Sequence, residues 1–351
     1  MATIDVLDSP RIDFPVVPMD TPNVSVELME DSISITNHVP THRVYSISIN
    51  SEDVLGKGTY SEVVRGTVCE YGKQTPLACK VYHLVDRRSL SLDHVTEAVS
   101  REKLMMRALA SSRAVSACAN IIKCMDSYVI QNLLEHPIQI FFMELLPNYT
   151  LEDMIDRAIE DDAHLCPHFI IVTISQLIHG LGICHNAKIA HGDIKPANII
   201  YDEQNDRVVL FDFNLGFYDE PLTLRKSCSA LYAGPEIVDG AGRFHNPYFA
   251  DLWALGQTCF ELITLESMFP DARTIAELVS EINSVTRPIL PSNPQYDGYA
   301  GIFDTIVQGF IKKEPTERTS LQSMQCSIKE FHREQEKKAK EKLVLCTANT
   351  K

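Results

Sequence analysis

The spacing of apolar residues changes once along this 351-residue chain, and that change restricts the possible folds more than any other feature. Before about residue 146 apolar residues alternate with polar ones, as in the run 44–49, which predicts β-strands. Beyond that point they recur at helical spacing, as in 170–185 behind Pro167. The chain is therefore expected to be an α+β protein with a small β-rich lobe, 43–146, and a larger helical lobe, 147–326.

Composition and charge narrow the class of protein. A formal net charge of −15 argues against nucleic acid or an anionic membrane as the main partner. No uninterrupted apolar run approaches the roughly 20 residues of a membrane span, and the N-terminus lacks the pattern of a signal peptide. Ten cysteines with no C-x-x-C pair predict reduced thiols and an intracellular location, cytoplasmic or nuclear.

The two ends of the chain differ from the middle. Residues 1–42 contain five prolines and more acidic than basic residues, which predicts a disordered arm; a docking or autoinhibitory segment is the alternative. Residues 327–351 are rich in Lys and Glu and predict a solvated helical tail, with partner binding or nuclear targeting as the alternative.

The stretch with the clearest chemistry runs from His191 to Asn198 and reads H-G-D-I-K-P-A-N. Nineteen positions after Asp193, the apolar run 208–211 leads into Asp212. Two carboxylates and an amide on adjacent turns suit phosphoryl transfer, which depends on positioning and on neutralising charge. We expect Asp193 to orient the attacking hydroxyl, and Asn198 and Asp212 to hold Mg²⁺.

This stretch resembles the catalytic loop H-R-D-x-K-x-x-N and the metal motif D-F-G of protein kinases. Gly192 replaces the Arg, and Asn214 replaces the last Gly. The resemblance implies a bilobal kinase fold, Mg-ATP as phosphate donor, and Lys195 beside the transferred phosphate. At Asn214 we expect the left-handed backbone that the Gly often needs, because Asn tolerates it best among other residues.

The eight residues 191–198 alone also fit small-molecule kinases of the aminoglycoside and choline type, which share H-G-D and the later Asn. Lys195, two positions after the Asp, is typical of protein Ser/Thr kinases. Further on, 234–236 resembles the kinase A-P-E and 251–256 resembles D-x-W-x-x-G. Arg318 stands where the family pairs an Arg with Glu236. Together these motifs favour a protein Ser/Thr kinase acting on protein substrates, with a non-catalytic kinase-like scaffold as the alternative.

A glycine-containing segment between two strand-like runs is the candidate phosphate-binding loop. A hairpin with small residues lets backbone N–H groups lie over phosphate oxygens. It resembles the kinase Gly-rich loop, with Ser61 where the third Gly usually stands. The residues expected to contact nucleotide here are Leu55, Gly56, Lys57, Gly58, Thr59, Tyr60, Ser61, Glu62 and Val63.

Lys80 lies in the apolar run L-A-C-K-V. By itself it is more simply a surface lysine, but its place after the glycine segment resembles the kinase V-A-I-K, whose Lys binds the α- and β-phosphates. A buried Lys needs a carboxylate partner. We expect that partner to be Glu102, on the next predicted helix, with Glu97 as the alternative.

The same resemblance predicts the adenine pocket. Ala78 and Val63 would lie above the ring, and Glu144 and Leu146 would present backbone groups to its edge. These positions fall in strand-like runs that any buried strand could show, so the assignment depends on the motifs that frame them.

Gly192 also bears on regulation. In many kinases the Arg at this position receives the phosphate of the activation loop, and without it that phosphate has no obvious cationic acceptor. We therefore predict activity that does not need activation-loop phosphorylation, with Thr223 and Ser227 as incidental sites. Ser229 is expected to support the catalytic Asp–Lys pair.

Overall fold

The computed structural model describes residues 16–17, 20–21, 24–29, 31–37, 43–58, 61–83, 92–130, 137–219, 229–238, 245–285 and 287–348. The chain divides into two compact units. The first takes residues up to 100 together with 123–146, and the second takes 101–122 together with the residues from 147 onward. The division at 146 falls at the predicted lobe boundary. Residues 101–122, which are predicted in the smaller lobe, fall in the second unit.

The described part of the first unit is built on a ten-stranded sheet. Its strands are β1 (Val16–Val17), β2 (Asp20–Thr21), β3 (Val24–Leu28), β4 (Ser32–Asn37), β5 (Arg43–Ser48), β6 (Val54–Lys57), β7 (Ser61–Glu70), β8 (Lys73–His83), β9 (Cys124–Ile130) and β10 (Ile138–Glu144). They lie in the order β1-β9-β10-β8-β7-β5-β4-β3-β2, and β6 pairs with β7. The β1–β9 pair is parallel and the others are antiparallel. The strands predicted between residues 44 and 146 are confirmed.

The N-terminal strands contradict the prediction of a disordered arm. β3 and β4 form a hairpin that adds to β5, with Ile35 opposite Tyr45. β1 and β2 lie at opposite ends of the strand order, although only two residues separate them. Val17 and Asp20 are three Cα steps apart, at most about 11 Å. The sheet therefore curls until its two edges come close together. The prediction gave weight to the prolines, but all five lie outside these strands.

The concave side of this sheet encloses the hydrophobic core of the first unit. Its members come from β3–β5 and β7–β10: Val26, Ile33, Ile35, Tyr45, Ile47, Val64, Val68, Leu77, Cys79, Tyr128, Ile130, Ile138, Ile140 and Phe142. Polar contacts cross the same space. Asn37 Nδ2 donates to Tyr128 Oη at 3.0 Å, and Arg43 pairs with Asp126 at 3.1 Å. The N-terminal strands are therefore part of the core and do not merely cover it.

The described part of the second unit is mainly helical. The division at residue 100 falls within helix α1 (Leu92–Ser111). The other elements of the second unit are α2 (Arg113–Ala117), α3 (Leu151–Glu160), α4 (Pro167–Asn186), β11 (Ile189–Ala190), β12 (Ile199–Asp202), β13 (Arg207–Leu210), β14 (Phe217–Tyr218), α5 (Pro235–Val238), α6 (Pro247–Thr264), α7 (Ile275–Ser284), α8 (Ala300–Phe310) and α9 (Leu321–Ala348). Thr150 and Asp153 form a capping box that begins α3. Pro167 occupies the first turn of α4, where its missing N–H costs nothing.

Helix α4 lies in the core of the second unit, against α6, α9, β11 and β13. Among the described residues it is the one helix whose length and mean hydropathy of 1.4 would allow it to cross a membrane, and half of that window is buried inside the fold. The apolar residues of this helix do not form an uninterrupted run, because Thr173, Ser175, Gln176 and His179 interrupt it. Its place in the core is a sufficient reason for its composition.

Helix α9 shows that the predicted tail does not begin at residue 327. The helix is continuous from Leu321, and both Met324 and Ile328 are buried. The Phe331 ring packs against Tyr299 with centroids 5.2 Å apart. Exposed residues predominate over 333–340. The helical character of the tail is confirmed, but its first turns belong to the core.

Candidate active site

A buried carboxylate anchors the catalytic stretch, which follows β11. The backbone N–H groups of His191 and Gly192 donate to the two carboxylate oxygens of Asp251, each at 2.8 Å. His185 Nε2 donates to the same carboxylate at 2.9 Å. Burial would raise the pKa of Asp251, but the hydrogen bonds from His185 and Gly192 hold it below its usual range. Asp251 therefore stays ionised and fixes the start of the loop.

His191 has a structural role. The carbonyl oxygen of Phe211 can only accept, so His191 Nε2 must donate to it at 2.9 Å. Nδ1 then accepts from the N–H of Asp193 at 3.2 Å. Burial lowers the pKa of His191, which keeps the ring neutral. Its centroid lies 4.4 Å from that of Phe213, so the two rings pack together.

Two predicted site residues, Lys195 and Asn198, contact Asp193. Lys195 Nζ lies 2.9 Å from Asp193 Oδ2 and donates to Ser229 Oγ at 2.8 Å. Asn198 Nδ2 donates to both the carbonyl oxygen and Oδ2 of Asp193, at 2.8 and 2.9 Å. Burial would raise the pKa of Asp193, but hydrogen bonds from Lys195 and Ser229 lower it below its ordinary value. The carboxylate is therefore an ionised acceptor, and Ser229 supports the pair as predicted.

Asn198 and Asp212 have the donor chemistry for Mg²⁺. Because Asn198 uses its amide nitrogen on Asp193, its Oδ1 is the atom left to ligate a cation. The N–H of Phe211 donates to the carbonyl oxygen of Asn198 at 3.2 Å, which places Asp212 beside this loop. No group of three His, Cys, Asp or Glu side chains suited to a metal occurs in the described residues. Two oxygen donors fit Mg²⁺, which takes its other ligands from phosphates and water.

The left-handed residue of the metal motif is Asp212, with φ of 59°, and not Asn214 as predicted. Residues 213–215 form a 3₁₀ turn whose backbone is right-handed, so the reversal falls on the residue that precedes the turn. Asn214 Oδ1 is buried, and no hydrogen bond reaches it from the residues that the structure describes.

In the first unit, β6 and β7 form the predicted glycine hairpin. Gly58 N–H donates to the Ser61 carbonyl at 2.8 Å, which closes the turn, and Lys57 pairs with Glu62 at 3.7 Å. A Cβ added at Gly56 would meet nothing within 4 Å, so packing within the protein does not require this glycine. The space above it suits an approaching phosphate. Thr59 and Tyr60 lie outside the described residues.

Strand register places the other nucleotide residues. Val63 pairs with Lys80, and Lys80 with Phe141, while Cys79 belongs to the hydrophobic core. Successive residues of a strand point to opposite faces, so Val63, Ala78 and Lys80 share the face away from that core. Lys80 is 8% exposed and lies 5.6 Å from the Tyr82 ring centroid. The predicted phosphate lysine is therefore buried, unlike an ordinary surface lysine.

The structure places the remaining predicted nucleotide residues, and their contacts with the nucleotide stay predictions. Glu144 ends β10, with its N–H donating to Lys123 O at 3.0 Å and its side chain accepting from Lys123 N–H at 2.9 Å. Leu146 follows in an irregular segment and is partly buried, as is Leu55. Glu102 on α1 is 2% exposed. Its pairing with Lys80 stays a prediction, and the side chain of Glu97 lies outside the described residues.

The predicted ion pair between Glu236 and Arg318 is confirmed. Two guanidinium nitrogens donate to the two carboxylate oxygens at 2.6 and 2.7 Å. Arg318 also donates to Phe249 O at 2.7 Å and lies 5.2 Å from the Trp253 ring. A bidentate, buried pair of this kind fixes the segment after residue 229 to the helices beneath it.

The sequence reasoning missed Glu261 on α6. Tyr232 Oη donates to its carboxylate at 2.7 Å. Burial raises the pKa of Glu261 to about 7, against the hydrogen bond from Tyr232, and the neighbouring Glu152 raises it further. The signal in the sequence was a second carboxylate, ten positions after Asp251, within a largely apolar helix, and without a known neighbour it carries little information.

Comparison with known proteins decides the family. The protein kinase domain family matches residues 49–328. The chain belongs to the protein kinase family. This kinase is 36% identical over 120 residues to the probable serine/threonine-protein kinase HSL1 of Saccharomyces cerevisiae, covering 34% of this chain and 8% of that one.

Two other relatives carry similar names. The SNF-related serine/threonine-protein kinase of Rattus norvegicus is 26% identical over 216 residues, 58% of this kinase and 27% of the relative. The serine/threonine-protein kinase RUNKEL of Arabidopsis thaliana is 28% identical over 221 residues, 58% of this kinase and 15% of the relative. This kinase therefore spans about a quarter or less of the length of these three relatives.

Proposed function

We propose that this kinase transfers the γ-phosphate of Mg-ATP to Ser or Thr hydroxyls of protein substrates. The observation that carries the proposal is the hydrogen-bonded group of Asp193, Lys195, Asn198 and Ser229. A binding module has no need of an ionised carboxylate held between an ammonium group and an amide. The name serine/threonine-protein kinase, shared by the relatives, supports the same acceptor.

Each residue has a distinct part in this reaction. Asp193, ionised at neutral pH, accepts a hydrogen bond from the substrate hydroxyl and takes its proton late in transfer. Lys195 neutralises charge on the transferred phosphate while Ser229 holds its ammonium group. When bound, Mg²⁺ neutralises the phosphates, and Asn198 and Asp212 would hold it. Lys80 and the 55–63 hairpin would bind the remaining phosphates.

Transfer of ³²P from Mg-ATP to a panel of basic proteins, followed by phosphoamino acid separation, tests the proposal. The comparison is between the unaltered chain and Asp193→Asn, with ATP binding measured on both. Label on Ser or Thr that is lost in the variant supports the proposal. ATP binding without transfer would instead indicate a kinase-like scaffold, and label on a small molecule would indicate a small-molecule kinase.

We further propose that activity does not need phosphorylation of the activation loop. The support is Gly192, which carries no guanidinium to receive such a phosphate, and Lys195, whose ammonium group is already held by Asp193 and Ser229. Thr223 and Ser227 lie outside the described residues. A phosphatase-treated sample should keep its rate. A fall of tenfold or more, restored by rephosphorylation, would reject this part of the proposal while leaving the kinase reaction intact.

We propose an intracellular location, since the buried thiols of Cys79, Cys184 and Cys259 are free and burial raises the pKa of each. Thiols in that state are inert to exchange and suit a reducing compartment. Fractionation of cells that express the chain would test this, and recovery mainly in the medium would reject it.

A further inference from the structure

Gly192 lies in a position where no other residue fits without rearrangement. Its φ is +80°, in the left-handed region. A Cβ there would overlap the carbonyl oxygen of Leu215 and lie 2.7 Å from the Leu215 carbonyl carbon and 3.2 Å from Gly216 N. All three obstacles are backbone atoms, so no side-chain rotation can relieve the overlap.

The facing segment has the same requirement. A Cβ added at Gly216 would lie 2.9 Å from both Ala190 O and Phe213 O, and 2.6 Å from the end of the Met105 side chain. The φ of Gly216 is an ordinary −71°, so the need for glycine here comes from close approach and not from conformation. Two glycines, one on each segment, therefore allow the two backbones to meet.

Neighbouring contacts prevent the two segments from moving apart. Ala190 pairs with Phe217 in the β11–β14 ladder. On the other side, Gly192 N–H donates to the buried carboxylate of Asp251, and Gly216 N–H donates to Phe213 O at 2.9 Å. A side chain at position 192 would thus have to displace the ladder, the catalytic loop or the 3₁₀ turn after Asp212.

We infer that Gly192 is a positioning residue which, with Gly216, sets Asp193 against Asp212 by direct backbone contact. The inference rests on the proposed kinase reaction and goes beyond it. If Gly192 merely lacked the phosphate-binding cation of other kinases, then Arg at this position would be tolerated and would make the activity depend on phosphorylation. If direct backbone contact positions Asp193, both Gly192→Ala and Gly192→Arg disrupt the loop, and phosphorylation does not restore it.

The effect should appear in kcat and not in the KM for ATP. The hairpin 55–63 and Lys80, which are proposed to bind the phosphates of ATP, belong to the other unit. The group next to the substitution is Asp193, which acts in the transfer step and not in binding ATP. A displacement of about 1 Å in such groups costs about 10²-fold in rate.

The test compares Gly192→Ala and Gly192→Arg with Gly298→Ala as the matched control. Gly298 has a φ of +88°, but nothing lies within 4 Å of its added Cβ, so the control carries the backbone strain without the overlap. We expect kcat to fall about 100-fold for both position-192 variants with the KM for ATP within about twofold, and we expect Gly298→Ala to keep kcat. Thermal unfolding midpoints are measured on every sample.

Equal kcat for Gly192→Ala and Gly298→Ala would overturn the inference, and so would recovery of Gly192→Arg on phosphorylation. If Gly192→Ala does not fold, Gly216→Ala tests the same contact without left-handed strain and should show the same loss of kcat; unchanged kcat there would also overturn it. If the unaltered chain transfers no phosphate, the proposed function fails separately. In that case the thermal unfolding midpoints test the backbone contact, because the overlap should give Gly192→Ala a lower midpoint than Gly298→Ala.

Discussion

The N-terminal strands and the catalytic loop are both held by long-range contacts, but by different kinds. β3 and β4 add to β5 by backbone pairing, and their apolar side chains Ile33 and Ile35 enter the core. The loop 191–198 is held by polar contacts, chiefly through the buried carboxylate of Asp251. Apolar packing tolerates small displacements of an atom, whereas a carboxylate that orients a hydroxyl does not. Damage to the strands should therefore lower stability, and damage to the loop should lower rate.

The largest effect is expected for Asp193→Asn, which keeps the shape of the side chain and removes the acceptor charge. We expect kcat to fall by about 10²–10⁴-fold, the range for loss of a general base, with little change in the unfolding midpoint. Steady-state phosphate transfer and thermal unfolding measure the two quantities. Asp271→Asn, at an exposed position, is the control. A kcat within threefold of the unaltered chain would remove Asp193 from the mechanism.

Glu236→Gln should have the largest effect on stability. It leaves the guanidinium of Arg318, whose side chain is fully buried, without its charged partner. Breaking a buried pair in this way costs about 3–5 kcal/mol in the free energy of unfolding. Asp304→Asn, which breaks the exposed pair with Arg287, should cost about 0–1 kcal/mol in the same denaturant titration. Similar costs for the two variants would show that the buried pair contributes no more than a surface one.

Ile35→Ala tests the N-terminal strands directly. Ile35 is completely buried, and its truncation should lower the free energy of unfolding by about 2–5 kcal/mol. At a temperature where the variant is folded, kcat should match that of the unaltered chain. Ile49→Ala, at a position 50% exposed, should change stability by less than about 0.5 kcal/mol. If Ile35→Ala costs no more than Ile49→Ala, the strands do not form part of the core.

The smallest effect concerns the pH dependence of stability through Glu261. Its pKa is about 7 in the folded protein against an ordinary 4.5, so the folded state holds the proton more tightly. The resulting stabilisation is present below about pH 4.5 and is lost as pH rises through 7. Glu261→Gln cannot titrate and should lose less free energy of unfolding between pH 5 and 7.5 than the unaltered chain. Glu266→Gln, at an exposed position, is the control. Parallel pH profiles for Glu261→Gln and the unaltered chain would contradict the shift.

The two regions also differ in what the sequence could predict. Asp193, Lys195 and Asn198 were found because phosphoryl transfer restricts residue type at fixed spacing. The strands β3 and β4 were missed although Ile33 and Ile35 alternate correctly, because pairing with β5 depends on partners that no local pattern identifies.

Within the catalytic region, the misses come from contacts between distant positions. The left-handed residue is Asp212 because the 3₁₀ turn begins immediately after it, which the letters D-F-N do not reveal. Gly192 could be recognised as a missing cation but not as a packing requirement, since Leu215 lies 23 positions away. The spacing of residues in the sequence predicts the chemistry of the site well. It does not predict which backbone segments lie close together, because that depends on the fold.

The most direct test of the central claim is a single-turnover measurement of γ-phosphate transfer with saturating Mg-ATP and a basic protein substrate. It compares dephosphorylated unaltered chain with dephosphorylated Asp193→Asn. The account predicts label on Ser or Thr at about 1–100 s⁻¹, the usual range for kinases, and almost none in the variant. Equal labelling by the two proteins, or no labelling by the unaltered chain, would contradict it.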